Sequence, residues 1–374
     1  MNKKLLFSLF ATAVASSVFA QSSVTTNGVK NVLVEESTGA WCQYCPDGAV
    51  YLANLIAANS QVIGVSIHGG SSTDSMKFAD GDIVTSTYFT AFPLGAVDRV
   101  PYGSPAVVGI SRSSWSSAAT ARAAVAPDFD VTLNHGLDVS TGVITAEVKA
   151  KVLKTLTGNY NLNVYIIEDS VKGFGHGWDQ VNFYNTQSGH TYFGAGNPIV
   201  GFNHMHVVRA MLGGAFGTTG LIKPNNGVGS TISKTYTYTL PVGYKYKHFK
   251  LVALVEKDDT DPTKRSINNA VEANLVNTKF KLSIGTTPAV SGLEISPNPT
   301  SGTIKLVGTF VGTANILVHI TNTMGQVVFK QEIPYTSNGV CNASMDISAL
   351  SSGVYFVNVR SVEGQNIIRV AVQH

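Results

Sequence analysis

The spacing of hydrophobic residues divides the chain into a region that mixes strands and helices and a longer region of strands alone. Residues 31–35 form an apolar run typical of a buried strand, and apolar side chains recur at helical spacing over residues 42–58. A second apolar run, residues 61–66, is followed by a polar loop, and Phe92-Pro93 leads into residues 95–99. This alternation predicts an α/β sheet with helices on its faces.

Beyond residue 126 the apolar residues alternate in short runs separated by glycine, asparagine and proline. The predicted strands cover residues 129–133, 143–152, 162–167, 235–240 and 249–255. They predict an antiparallel, Ig-like β-sandwich over residues 127–282. A stretch rich in glycine, threonine and proline then predicts a linker at residues 283–293.

The last segment, residues 294–374, again shows only strand patterns. Its predicted strands cover residues 303–306, 316–321, 326–332, 353–360 and 367–372. The predicted fold class is therefore an α/β domain, residues 21–126, followed by two all-β domains. A chain of 374 residues is long enough to hold these three units.

The first 20 residues have the three parts of a secretory signal peptide. Lys3-Lys4 precede an apolar core at residues 5–15, and small residues lead to Ala20. We therefore expect cleavage before Gln21 and export of the remaining chain. No later apolar run approaches the roughly 20 residues that span a bilayer, so no transmembrane helix is expected in the mature chain.

The composition points to an exported β-rich protein without a polyanionic partner. Charged residues make up 13% of the chain, against about 25% in typical soluble domains. The net charge is +3, and the basic residues form no cluster. These features argue against binding to nucleic acid.

Two of the three cysteines, Cys42 and Cys45, lie at the start of the first predicted helix. The unpaired backbone N–H groups and the positive end of the helix dipole favour a thiolate at Cys42 there, and the thiolate is the reactive form in disulfide exchange. A zinc site would need further ligands at metal-binding spacing, so we expect no metal and no other cofactor. The pair predicts a redox disulfide, with a purely structural disulfide as the alternative. Cys341 is left without a partner.

Residues 41–46, Trp-Cys-Gln-Tyr-Cys-Pro, resemble the redox motif of the thioredoxin superfamily. The resemblance implies that Cys42 is the exposed attacking cysteine and that Cys45 is the buried resolving one. It matches Trp41 to the aromatic residue that precedes the motif, and Pro93 to a cis-proline beside the disulfide. The first domain is then α/β and thioredoxin-like.

Glu36 matches the buried acid that takes up a proton during exchange in thioredoxins. Strand alternation places Glu35 and Glu36 on opposite faces, so only one of them can lie under the motif. Gln43-Tyr44 replaces the usual Gly-Pro of thioredoxins. Because this pair helps to set the redox potential, oxidation, isomerisation and reduction of a substrate all stay open.

Several further stretches resemble two more specific families. Residues 35–46 and 204–212 resemble the outer membrane protein 28-related family, which joins a thioredoxin-like domain to a β-sandwich. Residues 295–302, 324–328 and 350–355 resemble, in order and spacing, the type A C-terminal sorting domain of type IX secretion. That resemblance implies recognition of residues 294–374 by the type IX machinery, and often transfer of the cargo to surface polysaccharide.

Four histidines and an acidic loop are weaker candidates for binding sites. His176, His190, His204 and His206 lie in a long stretch rich in glycine and aromatic residues. On a strand, His204 and His206 would share one face and could reach a metal, although loop histidines are also ordinary surface residues. The acidic loop at residues 258–261 could hold calcium, but its flanking basic residues favour a solvated turn.

Two functions remain for the whole chain, both at the outer membrane, at the cell surface or outside the cell. The first is an enzyme that exchanges thiols and disulfides with extracytoplasmic proteins. The alternative is a noncatalytic surface-binding or adhesion protein, in which the thioredoxin-like fold is a scaffold with a static disulfide. Oligomeric state and the physiological partner do not follow from the sequence.

Overall fold

The computed structural model of the chain describes residues 22–104, 106–241, 243–277, 289–311, 315–323, 326–336, 339–361 and 365–374. It divides into two units, Met1–Phe280 and Lys281–His374. The predicted signal peptide, most of the predicted linker, and Met324 and Gly325 of the sorting resemblance lie outside the described residues.

The described part of the first unit contains three α-helices and thirteen strands. In chain order these are β1 (Ser22–Thr25), β2 (Val32–Thr38), α1 (Cys45–Ala58), β3 (Val62–His68), α2 (Ala79–Tyr88), β4 (Leu94–Val97), β5 (Gly109–Ile110), α3 (Trp115–Ala123), β6 (Phe129–Asp138), β7 (Val143–Val152), β8 (Asn159–Glu168), β9 (Val207–Met211), β10 (Thr218–Ile222), β11 (Thr231–Thr239), β12 (Phe249–Asp258) and β13 (Ile267–Asn274).

Three helical features differ from the sequence expectation, and one of them is helix α3, which the sequence did not predict. Helix α1 begins at Cys45 instead of Cys42, with Pro46 in its first turn, where a missing N–H does no harm. The polar loop expected before Phe92 contains α2, which is a helix with few apolar positions. Only four of its ten residues are buried, and Val84 and Tyr88 are the large apolar ones among them, so the amphipathic pattern is too weak to read from the sequence.

A single nine-stranded sheet joins strands from both sides of residue 126. Its order is β13-β12-β8-β9-β3-β2-β4-β5, and β10 pairs with β8. A second sheet of four strands has the order β1-β6-β7-β11. The two predicted domains, residues 21–126 and 127–282, therefore share one sheet and lie within one compact unit.

Strands β8 and β12 are buried on both faces of the large sheet. On β8, Leu162 and Val164 pack into a core shared with the four-stranded sheet. Tyr165 and Ile167 face the opposite way, into a core that contains Val84 of α2. Burial on both faces explains why these strands appear in the sequence as continuous apolar runs.

Strands β2, β3 and β8 end at the same edge of the large sheet. Parallel β2 and β3 finish side by side at Thr38 and His68. Strand β9 begins at this edge, because Val207 pairs with Ser66 of β3 and with Glu168 of β8. Residues 169–206, which connect β8 to β9 and are called the covering segment below, therefore leave from and return to the edge where the cysteine motif follows β2.

The described part of the second unit contains seven strands in two antiparallel sheets. They are β14 (Val290–Ser296), β15 (Thr303–Phe310), β16 (Ile316–Thr321), β17 (Val327–Ile333), β18 (Val340–Asp346), β19 (Gly353–Arg360) and β20 (Gln365–Val372). The sheets have the orders β14-β15-β18 and β17-β16-β19-β20 and share one hydrophobic core. Cys341 lies in that core as a free, fully buried thiol. Among the described residues of both units, no helix has the length and apolar character to cross a bilayer.

A buried arginine joins three strands of the large sheet. Arg99, which follows β4, donates from Nε and Nη2 to the two carboxylate oxygens of Glu35 on β2, at 2.7 and 2.8 Å. Its Nη1 donates to Glu256 on β12 at 2.6 Å, and Nη2 also lies 2.8 Å from the Tyr165 hydroxyl on β8. The Arg99 and Glu35 side chains are fully buried away from water, so each charge is stabilised by the opposite charge of the other.

Replacement of Arg99 by methionine should destabilise the first unit strongly, because Glu35 and Glu256 would stay buried without a cation. We expect a loss of about 3–5 kcal/mol in the free energy of unfolding. Urea denaturation followed by tryptophan fluorescence measures it, since all three tryptophans lie in this unit. The matched control is Lys77→Met, which breaks a half-exposed pair with Asp82 and should change stability by no more than about 1 kcal/mol. Similar losses in the two variants would contradict the prediction.

Candidate functional site

The two motif cysteines form a disulfide at the end of the loop that follows β2. Cys42 lies in a turn, in which its N–H donates to the Gly39 carbonyl at 3.0 Å. Cys45 is the first residue of α1 and donates its N–H to the Cys42 carbonyl at 3.3 Å. The disulfide joins Cα atoms 5.4 Å apart and sits at the N-terminus of a 14-residue helix.

Both cysteines are buried. Cys42 is 3% exposed and Cys45 is 1% exposed. Cys42 is therefore not the exposed cysteine that the thioredoxin resemblance implies. The physical reason is the covering segment, whose backbone bonds directly to the motif: the Val181 N–H donates to the Ala40 carbonyl and the Phe183 N–H to the Gln43 carbonyl, at 2.8 and 3.0 Å.

Gln180 of the covering segment is the side chain most closely engaged with the motif backbone. Its Nε2 lies 2.8 Å from the Cys42 carbonyl oxygen, 3.1 Å from that of Gly39 and 3.3 Å from that of Ala40. The residue is 2% exposed. The two N–H groups of one buried amide thus lie within hydrogen-bond distance of three carbonyls of the loop that presents Cys42, and they fix the shape of that loop.

Trp41 directly precedes Cys42, and Pro93 lies against Gly48 in the first turns of α1. The Trp41 indole N–H donates to the Gly69 carbonyl at 2.9 Å, and its ring lies 5.3 Å from the Phe92 ring. The side chain is 38% exposed. The Phe92–Pro93 peptide bond is cis, and Pro93 is buried directly before β4.

The Glu36 carboxyl lies beneath the first turns of α1. A Cβ on Gly48 would collide with Glu36 Oε1 and would come within 2.9 Å of Pro93, so only glycine lets the helix approach this closely. Gly48 follows Cys45 by three positions and shares its face of the helix. Glu36 therefore lies on the same side of the helix as Cys45.

Burial raises the pKa of Glu36 to about 8, although a hydrogen bond from Ser66 and the charge of Arg112 act in the opposite direction. The Ser66 hydroxyl donates to Oε2 at 3.1 Å, while Oε1 has no hydrogen-bond partner. Glu35 points to the other face of β2, toward Arg99. The protonated form of Glu36 thus dominates at neutral pH.

Asp74 and His68 support the motif loop from behind. Asp74 Oδ2 accepts from the Ala40 N–H at 2.8 Å and Oδ1 accepts from the Met76 N–H at 2.9 Å. His68 Nδ1 lies 3.0 Å from Asp74 Oδ2, and both side chains are buried. Burial opposes ionisation of Asp74, but the hydrogen bond and charge of His68, together with the Met76 and Ala40 N–H groups, outweigh it and lower the pKa of that carboxyl.

A polar cluster ties the covering segment to the first turn of α1. Asp47 Oδ1 lies 3.1 Å from His190 Nε2, and the other carboxylate oxygen is paired with Arg112 Nε. Arg112 Nη2 donates to the Tyr184 hydroxyl at 3.1 Å, and the Tyr184 and His190 rings stack with centroids 3.9 Å apart. The segment is therefore held by charged and aromatic contacts in addition to its backbone bonds.

The structure does not bring His204 and His206 together. His204 is buried, with Nε2 2.8 Å from the Trp178 carbonyl, whereas His206 pairs with Asp169 at 3.1 Å. In the acidic loop, Asp261 accepts from the Thr263 N–H and pairs with Lys264. Within the described ranges no three histidine, cysteine or acidic side chains are grouped as metal ligands.

Gln180, Asp74, His68 and Gly48 were missed by the sequence analysis. Gln180 is 138 residues from Cys42 in the chain, and no local pattern marks it. Gly48 could have been noticed as a glycine inside a helical pattern, since such a residue often permits a close approach. With Glu36, these residues form the surroundings of the disulfide: an acid that binds a proton lies beneath it, and a closely bound segment lies above it.

The fold has solved relatives of low sequence identity. HBP35 of Porphyromonas gingivalis superposes with a TM-score of 0.54 at 18% identity, over 92% of this chain and 99% of that one. A protein from Agrobacterium tumefaciens matches with a TM-score of 0.43 at 13% identity, over 68% of this chain and 98% of that one. The first likeness shows a shared fold. No curated protein sequence matches the chain.

The C-terminal segment matches a known sequence family. Residues 294–373 fit the family described as a secretion system C-terminal sorting domain, in agreement with the resemblance found in the sequence. The match covers most of the second unit, Lys281–His374. The chain therefore carries a type IX sorting domain, which directs it through that secretion machinery to the cell surface or the extracellular space.

Proposed function

We propose that the first unit exchanges thiols and disulfides with extracytoplasmic proteins after export by the type IX system. In this proposal residues 1–20 are a signal peptide, residues 21–126 are a thioredoxin-like module of the outer membrane protein 28-related kind, and the sorting domain delivers the unit to a surface polysaccharide. The observation that carries it is the placement of Glu36 with an unpartnered oxygen beneath the helix that starts at Cys45. A static disulfide has no need of such an acid, and an unpartnered buried carboxyl oxygen destabilises the fold by about 1–3 kcal/mol.

The proposed chemistry begins with the oxidised pair and a partner dithiol. A partner thiolate attacks Cys42 Sγ, a mixed disulfide forms, and Cys45 leaves as a thiolate. The second thiolate of the partner then attacks the partner sulfur that is bonded to Cys42, and Cys42 is released as a thiolate. Two electrons pass from the partner to the cysteine pair, and the partner acquires a disulfide. The reverse sequence, which starts from the reduced pair, reduces a partner disulfide.

Each group around the pair has a role in this proposal. Protonated Glu36 supplies the proton that Cys45 takes up on leaving, and recovers one in the reverse direction. The N-terminus of α1 stabilises the thiolate. Trp41, which is 38% exposed, offers surface for the partner backbone, and Pro93, which is buried against Gly48, holds the start of α1 in place.

The reduction potential of the pair tests the proposal directly. Equilibration of the full chain in glutathione buffers, with alkylated Cys42 and Cys45 peptides counted by mass spectrometry, should give a potential above about −270 mV. Cys42→Ser should abolish exchange with a cysteine peptide, and Cys45→Ser should accumulate a mixed disulfide at Cys42. Cys341→Ser is the control and should leave the potential unchanged. A potential below about −300 mV, or exchange that persists in Cys42→Ser, would contradict the proposal.

Replacement of Glu36 by glutamine should remove a pH-dependent loss of stability. The pKa of Glu36 in the folded chain is about 8, above the ordinary carboxyl value, so its contribution to stability is complete at low pH and is lost as pH rises through about 8. The free energy of unfolding of Glu36→Gln, taken relative to that of the unchanged protein, should therefore rise by roughly 3 to 5 kcal/mol between pH 4 and pH 9. Urea denaturation across this range measures the difference.

The control for that experiment is Glu272→Gln, which removes a partly exposed carboxylate paired with Lys250. Its stability relative to the unchanged protein should stay nearly constant over the same pH range. A flat difference for Glu36→Gln as well would show that Glu36 is ionised in the fold, and would remove it from the proton-transfer role.

The second candidate is a noncatalytic surface-binding or adhesion protein with a static disulfide. The observation that favours it is the burial of Cys42, which is 3% exposed beneath the covering segment. In this case the pair would be hard to reduce, and binding would reside on other surfaces. The two functions therefore predict different ranges for the reduction potential in the glutathione experiment described above.

Replacement of Gln180 by methionine tests whether the covering segment limits access to the pair. Three carbonyls of the motif loop would lose the amide donor, so the segment should open more often, and reduction of the disulfide by dithiothreitol should become roughly tenfold faster. Alkylation of Cys42 after timed reduction measures the rate. Gln187→Met, at an exposed position of the same segment, is the control and should keep the original rate. Equal rates in both variants would show that Gln180 does not restrict access.

A further inference from the structure

A pocket of about 390 Å³ opens between the motif loop and the covering segment. Ala40 and Trp41, which directly precede Cys42, form one wall, and Thr73 lies at the rim. The opposite wall comes from the covering segment, with Val181 and Pro198 as its largest apolar residues. The pocket is thus built partly from the residues that present the reactive cysteine.

The lining of this pocket has few groups that carry charge: besides Asp179, the exposed His176 is the one lining residue with an ionisable side chain. Asp179 is the one acidic lining residue, and both of its oxygens are occupied: Oδ2 accepts from the Gly175 N–H at 2.9 Å and Oδ1 from the Gly201 N–H at 3.0 Å. The structure describes all of the lining residues, and none of them is a lysine or an arginine. An uncharged, apolar group is the ligand that complements this lining.

The walls are tied to each other, so the pocket exists before any ligand enters. The Val181 N–H donates to the Ala40 carbonyl at 2.8 Å, and Gln180 Nε2 reaches the same carbonyl. On the rim side, the Ser75 N–H donates to the Gly177 carbonyl at 3.1 Å. A preformed pocket binds more tightly than one that must first be ordered.

Exposed apolar surface continues beyond the mouth of the pocket. The Phe174 ring, 76% exposed, lies against Gly201, whose N–H holds Asp179. Val200, in the same turn, is 67% exposed, and Trp41 is 38% exposed. Large exposed apolar side chains near a pocket are typical of a site that binds another molecule.

We propose that this pocket is the subsite that selects polypeptide substrates, and that it takes an aromatic or large aliphatic side chain close to the reacting cysteine. The inference rests on the proposed exchange function and specifies its substrate class. An extended chain advances about 3.3 Å per residue, and the pocket wall lies one or two residues from Cys42, so the side chain belongs within about three residues of the substrate cysteine. The volume is at the small end of ligand pockets, which span roughly 300–1,000 Å³, and suits one large side chain.

Binding of a peptide without a thiol tests the pocket separately from the chemistry. Two fluorescein-labelled decapeptides differ only in a phenylalanine or a serine two positions from the centre, and serine replaces the central cysteine in both. Fluorescence anisotropy with the full chain should show the phenylalanine peptide binding at least tenfold more tightly. Equal affinities would overturn the proposal.

Two variants locate the preference and one controls for surface change. Thr73→Trp fills the rim from an exposed position, and Trp41→Ala removes a wall; each should reduce the preference to less than about threefold. Thr141→Trp makes the same substitution in the exposed turn between β6 and β7, away from the pocket, and should keep the full preference. A preference that persists in both pocket variants would place the binding elsewhere and overturn the proposal.

The exchange function is measured with the matching cysteine peptides. A higher kcat/KM for the phenylalanine peptide, lost in the two pocket variants, supports both conclusions. Preferred binding without any exchange would leave the pocket in place and reject the exchange function. Exchange of both cysteine peptides at equal kcat/KM, together with equal affinities, would reject the pocket while the exchange function stands.

Discussion

The position of every group around the disulfide follows from the edge at which β2, β3 and β8 end. Parallel pairing of β2 with β3 sends the motif loop out at this edge, and the pairing of β9 with β3 and β8 brings the covering segment back to it. The segment crosses the motif, where its Val181 and Phe183 N–H groups donate to the Ala40 and Gln43 carbonyls. The short distances between its donors and the motif carbonyls are a consequence of that connectivity.

Neighbouring acids on β2 show how the two faces of one strand create different chemistry. Glu35 is buried with Arg99, which binds both of its carboxylate oxygens and joins β2 to β8 and β12. Glu36 is buried with only the Ser66 hydroxyl, and burial raises its pKa to about 8. The first acid stabilises the sheet as part of an ion pair. The second, which has no cation in hydrogen-bond contact, is able to exchange a proton near neutral pH.

Local patterns identified the elements whose side chains are buried in a regular period. The runs that became β7, β16 and β19 have the bounds expected from the sequence, because alternating or continuous apolar residues mark them directly. Helix α2 was missed, since only a few of its positions face the core. Strand β9 was missed as well: it is five residues long and owes its pairing to strands distant in the chain.

The sequence by itself determined the paired cysteines, the neighbouring acid and proline, and the sorting domain, because each depends on residue identities at short, fixed spacings. It could not determine that the strands on both sides of residue 126 share one sheet, or that Gln180 bonds to the loop of Cys42. Those facts arise from pairings between residues more than 100 positions apart. Only the folded chain decides them, because hydrogen bonds and burial at such separation leave no periodic signal in the residues themselves.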